Sequence, residues 1–574
     1  MSIFLGASSA MKKIANSICF KFSHLAAAML VAVLPLLLVP LMAPMLANAA
    51  EVIQIPNVPS AQDVQFSALA DAAMDRDMLK VQELLNAENP SQKLDVNALG
   101  RYGTPALHWV IRYGDQQTAE RLVAEGADVN LANIYGVRPL QLAIENGHGE
   151  LVQWLLDAGA NPQAADLAGE PPLFLAAALN DTASLALLLK HGAEVDSEDQ
   201  VYGQTALMVA VRSGHADAVQ LLLAAGADIN KQAGVTETMP GKDAVFVMPS
   251  EIPGALTHGT GLTRGGWPDR GVRQPVAGAK TPLLYATRLG DLALTNLLVE
   301  AGADLELADA NGITPLLNAI VNTSIVAVRP GMDEHLQVAA YLVAAGANVN
   351  AVDWYGQTSL WAAIDVRNLL YQSVNVNSNN VDRAAGLALV RQLLDAGANP
   401  NVQTKEYSPA RHFILGIGSV EWVDMTGQTP FLRAARAGDV TVMRLLLEHG
   451  ADANITTYGG STALMVAAGV NFGIGETYDE GEAALLEAVK LAHAQGNDIN
   501  AVNTVGLQAM HGAANRGANT IIEYLAENGA ELDRPDKEGR TPVRWAEGEY
   551  LPSRPLVPKP DTIALIKSYQ LAVE

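Results

Sequence analysis

Apolar residues recur along this chain in pairs of short amphipathic segments, and the stretch 203–230 shows the pattern clearly. Each segment places its apolar residues on one face when it is drawn as a helix. Gly214 and Gly226 follow the two segments, where glycine can adopt the left-handed conformation that ends a helix. The pattern therefore predicts two short helices. Their apolar faces are formed by Leu207, Ala210 and Val211 in the first segment, and by Val219, Leu222 and Leu223 in the second.

The same unit recurs along the chain, because its closing glycine returns at nearly constant spacing. Gly126, Gly159, Gly192 and Gly226 are 33, 33 and 34 residues apart. A helix pair this short cannot bury its apolar faces alone, so it needs neighbours stacked on both sides. We therefore expect one elongated solenoid of about twelve units. Further units close at Gly302, Gly346, Gly397, Gly450, Gly496 and Gly529.

Each unit opens with a helix-start signal. Thr205 can act as an N-cap, because its hydroxyl can accept a hydrogen bond from a free backbone N–H of the first turn. Proline after such a threonine suits the first helical position, where a missing N–H does no harm. Thr-Pro stands at Thr104-Pro105, Thr281-Pro282, Thr314-Pro315, Thr429-Pro430 and Thr541-Pro542.

A period of 33 residues with T-P-L-H-x-A variants at the start of each unit resembles the ankyrin repeat family. The nearest copies of that opening are Thr104 to His108 and Thr281 to Tyr285, and the resemblance covers about residues 66–571. It implies an all-α ankyrin-repeat solenoid of about twelve helix–turn–helix repeats with long loop insertions. It says little about function, because one scaffold hosts many roles.

The first 50 residues depart from the repeat pattern. Three lysines precede an apolar run at 25–46, and Ala47-Asn48-Ala49 follows as a small-residue cleavage site. This order predicts a signal peptide that is cut after Ala49 or Ala50, and so a periplasmic or secreted protein similar to exported, bacterial-type ankyrin repeat proteins. The run is long for a signal peptide, so an uncleaved membrane anchor stays open as the alternative. The single cysteine, Cys19, would leave with the leader.

Insertions interrupt the array after its first five units. Because insertions in a solenoid map to loops, and such loops often carry function, we expect specific recognition to lie from residue 231 onward. Shorter insertions are expected between the two helices of a unit, near 323–334, 371–383 and 470–481. The predicted organisation is a signal peptide at 1–50, a lead-in at 51–65, repeats at 66–230, a Gly/Pro-rich insertion at 231–278, repeats at 279–401, an inter-repeat insertion at 402–426, and C-terminal repeats with a cap at 427–571.

The chain is acidic, with a formal net charge of −24 and a pI near 4.8. This balance disfavours nucleic acid and anionic membrane surfaces as partners, since both attract basic patches. It weakly favours a basic partner protein. The alternative is a solvated acidic surface that binds nothing.

We expect no catalytic, cofactor or metal site from the motifs. Gly259, Gly261 and Gly265 only superficially match a phosphate-binding loop, because the Lys-Ser/Thr that completes such a loop is missing. His108 and His511 occupy the histidine of the repeat opening, and the family resemblance implies that this side chain bonds a turn backbone. The Asp and Asn residues of the Gly-Ala-Asp-x-Asn turns are interpreted as turn formers.

Aromatic residues make up only 5% of the chain, and several stand in turns or insertions rather than in the helices. Exposed Trp and Tyr are typical anchors at protein interfaces. Alternatively, they fasten each insertion onto the solenoid. The candidate partner-binding residues are Trp267, Arg264, Arg270, Trp354, Tyr355 and Trp422.

The leading hypothesis is a non-enzymatic protein-binding scaffold of the cell envelope, which contacts its partner through the concave face and the insertions. One alternative is an inhibitor or immunity-type protein for a basic toxin or hydrolase, which predicts acidic side chains concentrated on the concave face. Another is an enzyme with a site built from the insertions, and the absence of a paired catalytic motif argues against it. The sequence identifies neither the partner nor an oligomeric state.

Overall fold

The structure is a computed structural model that describes residues 67–87, 94–235, 278–325, 332–368, 372–373, 376–377, 382–405, 423, 425–471, 480–548 and 557–573. These residues form 24 helices, arranged as twelve pairs in chain order, and one two-stranded hairpin. The predicted all-α solenoid of about twelve repeats is therefore confirmed. The leader predicted at 1–50 and the lead-in predicted at 51–65 lie outside the described residues.

Each repeat contributes a first and a second helix. The first helices are α1 (Ala68–Met74), α3 (Ala106–Arg112), α5 (Pro139–Glu145), α7 (Pro172–Ala178), α9 (Ala206–Arg212), α11 (Pro282–Leu289), α13 (Pro315–Ile325), α15 (Ser359–Arg367), α17 (Pro430–Ala437), α19 (Ala463–Ala468), α21 (Ala509–Arg516) and α23 (Pro542–Ala546). The second helices are α2 (Met78–Asn86), α4 (Gln116–Ala124), α6 (Gly149–Asp157), α8 (Thr182–Lys190), α10 (Ala216–Ala224), α12 (Leu292–Glu300), α14 (Met332–Ala344), α16 (Arg383–Asp395), α18 (Val440–Glu448), α20 (Glu482–Ala494), α22 (Asn519–Glu527) and α24 (Pro560–Val573). Strands β1 (Gln372–Ser373) and β2 (Val376–Asn377) pair antiparallel between α15 and α16.

A threonine hydroxyl caps the first helix in six of the twelve described repeats. The Thr205 hydroxyl accepts from the backbone N–H of Met208 at 3.4 Å, and Thr281 accepts from that of Leu284 at 3.2 Å. The opening at Thr104 differs, because Pro105 is the N-cap of α3 and provides no side-chain hydrogen bond. The threonines that cap a first helix directly precede its first residue, but Thr541 occupies the same position without a side-chain hydrogen bond.

The core consists of small and branched apolar residues between stacked helices. Each first helix packs on the first helix of the next repeat, including α9 on α11 across the large insertion. In the repeat at 203–230, Leu207 and Leu222 are fully buried, as the apolar pattern predicts. Burial of one such side chain contributes about 1.5–3 kcal/mol. The first repeat deviates from its pattern, because Leu79 is 82% exposed and Val81 is buried instead.

Side-chain amides in the closing turns tie each repeat to the next. Asn130 Nδ2 donates to the carbonyl of Gly159 at 2.9 Å, and its Oδ1 accepts from the backbone N–H of Asn161 at 2.7 Å. Asn401 makes the same two contacts with Gly450 and Asp452. The turn formers expected from the sequence therefore also hold neighbouring repeats in register.

The stack continues across the largest insertion. Asn230 Oδ1 accepts from the backbone N–H of Asp304 at 2.8 Å, although the two residues are 74 positions apart. The Ala233 N–H donates to the Lys280 carbonyl at 3.0 Å, and the Ala279 N–H donates to the Ala233 carbonyl at 3.1 Å. The two ends of the insertion are thus direct neighbours.

The insertions within repeats are partly helical, which corrects the expectation of loops alone. Helix α13 runs to Ile325 and α14 begins at Met332, so both helices extend into the expected loop at 323–334. Helices α14, α16 and α20 each have 13 residues, whereas α10 has 9. Four additional residues amount to about one helical turn. Part of the additional length therefore lengthens the second helices.

We predict that deleting residues 236–277 leaves the repeats folded. A Cβ placed on Gly278 would lie 2.5 Å from the Val235 Cα, so about three glycines can bridge the cut. Shortening the loop should preserve the helical circular dichroism and raise the free energy of unfolding by up to about 2 kcal/mol. Deletion of α10, which removes core residues, is the control for loss of fold. A helical signal that disappears with the loop would contradict the prediction.

Candidate partner-binding surface

An exposed apolar row crosses the turns between the N-terminal repeats. We call it the tip row, and it comprises Tyr102, Ile134, Tyr135, Leu167, Val201 and Tyr202. All six side chains are more than half exposed, with Tyr102 at 58% and Leu167 at 77%. They precede a turn glycine in four successive repeats. Contiguous exposed apolar residues of this kind mark interaction sites.

The turn that carries Val201 and Tyr202 is held by a buried carboxylate. Asp199 Oδ1 accepts from the Val201 N–H at 2.8 Å, and its Oδ2 accepts from the Gln204 N–H at 2.9 Å. Gly203 has φ of +58°, a conformation that side-chain-bearing residues rarely adopt. The turn is therefore ordered before any partner arrives, and its two apolar side chains remain at the surface.

Neighbouring tips touch one another. The Ile134 N–H donates to the Gly103 carbonyl at 3.1 Å, and a Cβ on Gly103 would lie 2.5 Å from Ile134 Cδ1. A Cβ on Gly136 would lie 2.4 Å from Leu167 Cγ. Glycine is thus required at these positions for close approach as well as for backbone conformation. The tips form a continuous row instead of isolated side chains.

Three first helices of the later repeats, α15, α17 and α19, differ because their surface is closed. Every residue of α15, α17 and α19 is buried, including Asp365, Arg367 and Arg433. In the earlier repeats, by contrast, Arg112, Glu145 and the C-terminal end of α9 are exposed. Within the described residues, the first helices of the N-terminal repeats therefore offer accessible surface that α15, α17 and α19 lack.

Buried ion pairs connect the closed repeats. Arg433 Nε donates to the Asp365 carboxylate, and Arg367 Nε donates to Asp439 Oδ2 at 2.8 Å. Arg383 lies 3.6 Å from the same Asp439 oxygen and also pairs with Glu480. Removing one partner of a buried pair costs about 3–5 kcal/mol, because the remaining charge is left without compensation. The network therefore fixes α15, α16 and α17 to one another.

Two of the sequence-predicted site residues lie in the described turn before α15. Trp354 is 38% exposed, and its Cδ1 would lie 3.2 Å from a Cβ on Gly312. Tyr355 is only 3% exposed, which corrects the expectation of an exposed anchor. Its carbonyl accepts from the Lys405 N–H at 2.7 Å, at the start of the 402–426 insertion. For Tyr355 the alternative of a fastening role fits better. Trp267, Arg264, Arg270 and Trp422 lie outside the described residues.

The tip row was missed in the sequence, although a signal for it exists. Turns favour Gly, Pro, Asn, Asp and Ser, whereas two of these four turns place Ile-Tyr or Val-Tyr immediately before the glycine. Large apolar residues in a turn that has no helix to pack against indicate a surface role. We expected specific recognition only from residue 231 onward, and that expectation did not take these N-terminal turns into account.

The repeat histidines are structural, as the family resemblance implied. His108 is buried, and its Nε2 lies 3.0 Å from the Val137 carbonyl of the next turn. His511 Nδ1 accepts from the Gln508 N–H at 3.1 Å. Burial lowers the pKa of each imidazole to about 4, because the charged form cannot be hydrated there. Both side chains are therefore neutral near pH 7.

In the described residues, no three His, Cys, Asp or Glu side chains form a group that could hold a metal ion. None of the helices seen in that part of the chain combines the length and apolar character needed to span a bilayer.

Comparisons with known proteins agree with this architecture. A family model described as "Ankyrin repeats (3 copies)" matches residues 69–166, 162–233, 383–472 and 481–551, together more than half of the chain. The human "Ankyrin repeat and SOCS box protein 6" is 25% identical over 285 residues, which cover 50% of this chain and 52% of that protein. A "Putative ankyrin repeat-containing protein" of Treponema pallidum is 34% identical over 163 residues, covering 28% of this chain and 39% of the other.

Among solved structures, the ankyrin repeat domain of Bcl-3 aligns with a TM-score of 0.34 and 23% sequence identity. It covers 45% of this chain and 94% of that domain. The chain spans about half the length of the first relatives it matches.

We predict that the buried histidines make the fold acid-sensitive. The pKa of His108 and His511 is about 4 in the fold against 6.5 in the unfolded chain, so the unfolded state binds protons first as pH falls. Stability should therefore be present above pH 6.5 and fall progressively toward pH 4, by up to about 3 kcal/mol per histidine. Chemical denaturation across this pH range measures the loss.

The variant His108→Gln/His511→Gln is the control for this prediction. Burial raises the pKa of Asp353 to about 7, so its titration acts with the opposite sign in the same range. The difference between the parent and the variant isolates the histidine contribution. Equal slopes of stability against pH in the two proteins would contradict the prediction.

Proposed function

Because the chain belongs to the ankyrin repeat family, we propose that it is a non-enzymatic protein-binding scaffold of the cell envelope whose partner contacts the tip row. Ankyrin repeats indicate a protein-interaction scaffold, and proteins built from them are generally not enzymes. The observation that supports this specific proposal is the continuous exposure of six large apolar side chains across four repeats. The insertions at 231–278 and 402–426 add specificity in this proposal.

The tip row suits a rigid binding surface. Side-chain acceptors such as the buried carboxylate of Asp199, together with turn glycines, order the turns in advance, so little conformational entropy is lost on binding. Tyrosine contributes a large contact area with only two rotatable bonds, and it is enriched among the residues that dominate binding energy. The surface can therefore bind a partner without rearranging its own backbone.

The inhibitor alternative requires acidic side chains on the first-helix side of the solenoid. The described first helices carry the opposite balance, with eight arginines and three acidic residues. Charge complementarity with a basic toxin or hydrolase therefore finds no support in these helices. A protein-binding scaffold, in contrast, does not require acidic side chains on the first helices.

We predict that Tyr102→Ser/Tyr135→Ser/Tyr202→Ser weakens partner binding by about tenfold or more. The partner is first identified by affinity capture from the cell envelope with residues 51–574, at low and at high salt. The three rings are exposed, so the thermal midpoint should remain nearly unchanged. Leu79→Ser/Leu571→Ser removes two exposed apolar side chains outside the row and serves as control. Unchanged affinity in the tyrosine variant would refute the role of the row.

The envelope location rests on the leader at 1–50, and it has its own test. We expect the mature chain to begin at Ala50 or Glu51, and to be released by selective permeabilisation of the outer envelope. N-terminal sequencing of the purified protein measures the cleavage site. An intact leader in the membrane fraction would instead support the anchor alternative, and an intact leader in the soluble interior would refute export.

A further inference from the structure

Charge is separated between the two layers of helices. The first helices of the described repeats carry eight basic and three acidic side chains, whereas the second helices carry eight basic and fifteen acidic ones. The whole chain has a net charge of −24. The first helices thus carry a net positive charge in an acidic protein, so the net charge of the whole chain does not identify what these helices attract.

In the closed repeats, the chain itself supplies carboxylates to these arginines. Arg433 pairs with Asp365, and Arg367 pairs with Asp439. Both arginines are buried, so the pairing compensates for the hydration that each guanidinium has lost. The structure therefore contains examples of first-helix arginines that bind carboxylates.

Repeats 203–230 and 279–306 present cations without such partners. We call Arg212, Lys280 and Arg288 the cation cluster. The two arginines are exposed, and no described carboxylate lies within ion-pair distance of any of the three. Arg212 Nη1 donates to the neutral amide oxygen of Gln204 at 2.9 Å. The cluster therefore retains unused capacity to bind an anion.

Arg212 and Arg288 lie in the last turns of α9 and α11, which pack on each other, and both act on the Tyr285 ring. Burial lowers the pKa of Lys280, and the charge of Arg288 lowers it further. Burial raises the pKa of Tyr285, and the charges of Arg212 and Arg288 oppose that rise. Asp199 and Asp309 also face these groups, but their carboxylates accept backbone N–H bonds within their own turns.

An open groove of about 530 Å³ lies beside Arg212, between the ends of α9 and α11. Leu289 lines it and is 43% exposed, which gives the groove an apolar wall. Asp291 and Glu334 also line it. The Asp291 carboxylate caps α12 through the Leu294 N–H at 2.9 Å, whereas Glu334 is exposed. Glu334 is therefore the acidic group that opposes an anion here.

We propose that the cation cluster binds an acidic segment of the partner protein, with an apolar side chain of that segment against Leu289. This inference rests on the proposed scaffold function and specifies the chemistry of its partner. The protein's net charge repels an acidic partner at long range, but screening limits that effect to about 10 Å at 0.1 M salt. Repulsion therefore slows the encounter, while contacts at the cluster hold the complex.

The test uses the mature chain and a fluorescent twelve-residue peptide of alternating Glu and Leu, with fluorescence anisotropy as the measurement. Two further peptides replace every Glu by Gln or by Lys. The acidic peptide should bind at least about tenfold more tightly than either of them. Equal binding of the Gln peptide, or no binding of the acidic peptide at millimolar concentration, would overturn the inference.

The variant Arg212→Gln/Arg288→Gln should weaken binding of the acidic peptide about tenfold. Arg391→Gln/Arg444→Gln makes the same charge change on exposed residues of α16 and α18, and it should alter affinity by less than about twofold. Glu334→Gln should tighten binding. Equal loss in the two arginine variants would show a general charge effect and overturn the inference. Tighter binding of a single-stranded oligonucleotide than of the acidic peptide would also overturn it.

Failure of this inference can be separated from failure of the proposed function. If the tyrosine variant weakens binding of the captured partner but the Arg212→Gln/Arg288→Gln variant does not, the scaffold function stands and the proposed acidic segment is wrong. If neither variant changes the affinity for the captured partner, the proposed function itself fails.

Discussion

Contact between neighbouring repeats is the interaction on which the rest of this structure depends. A helix pair of seven and nine residues, such as α3 and α4, has no core of its own, so its apolar face is buried only by the repeats beside it. Amides such as Asn130 and Asn230 fix the register of those contacts. Because the register is constant, the turn tips form a row and the first-helix arginines lie in one layer of helices. The candidate binding surface is thus a consequence of the stacking.

The fold could be predicted from the sequence because its signals are local. The glycine period, the apolar faces and threonines such as Thr205 each report on a few neighbouring residues. The burial of Tyr355 and the exposure of the tips could not be predicted in this way, since they depend on contacts with other repeats. The pairing of Arg433 with Asp365 joins residues 68 positions apart and has no periodic signal. The site was consequently less predictable than the scaffold.

Two groups of repeats in the solenoid use their first helices differently. In α15 and α17 the charged side chains form a buried ionic network. This network rigidifies that part of the stack, and the first-helix surface there is closed. In α9 and α11 the corresponding arginines remain exposed beside a groove. Net charge suggested a basic partner, yet the distribution of charge between helix layers favours acidic groups at this surface. Local geometry therefore determines the binding chemistry more directly than total charge.

Hydroxyl-radical footprinting of the free protein and of its partner complex would show directly which surface the partner covers. Oxidation rates of individual aromatic rings report which side chains lose access to solvent. We expect Tyr102, Tyr135 and Tyr202 to become protected on binding, while Trp154 and Tyr524 on the second helices do not. Protection confined to second-helix residues, with the three tip tyrosines still oxidised at their free rates, would contradict this expectation.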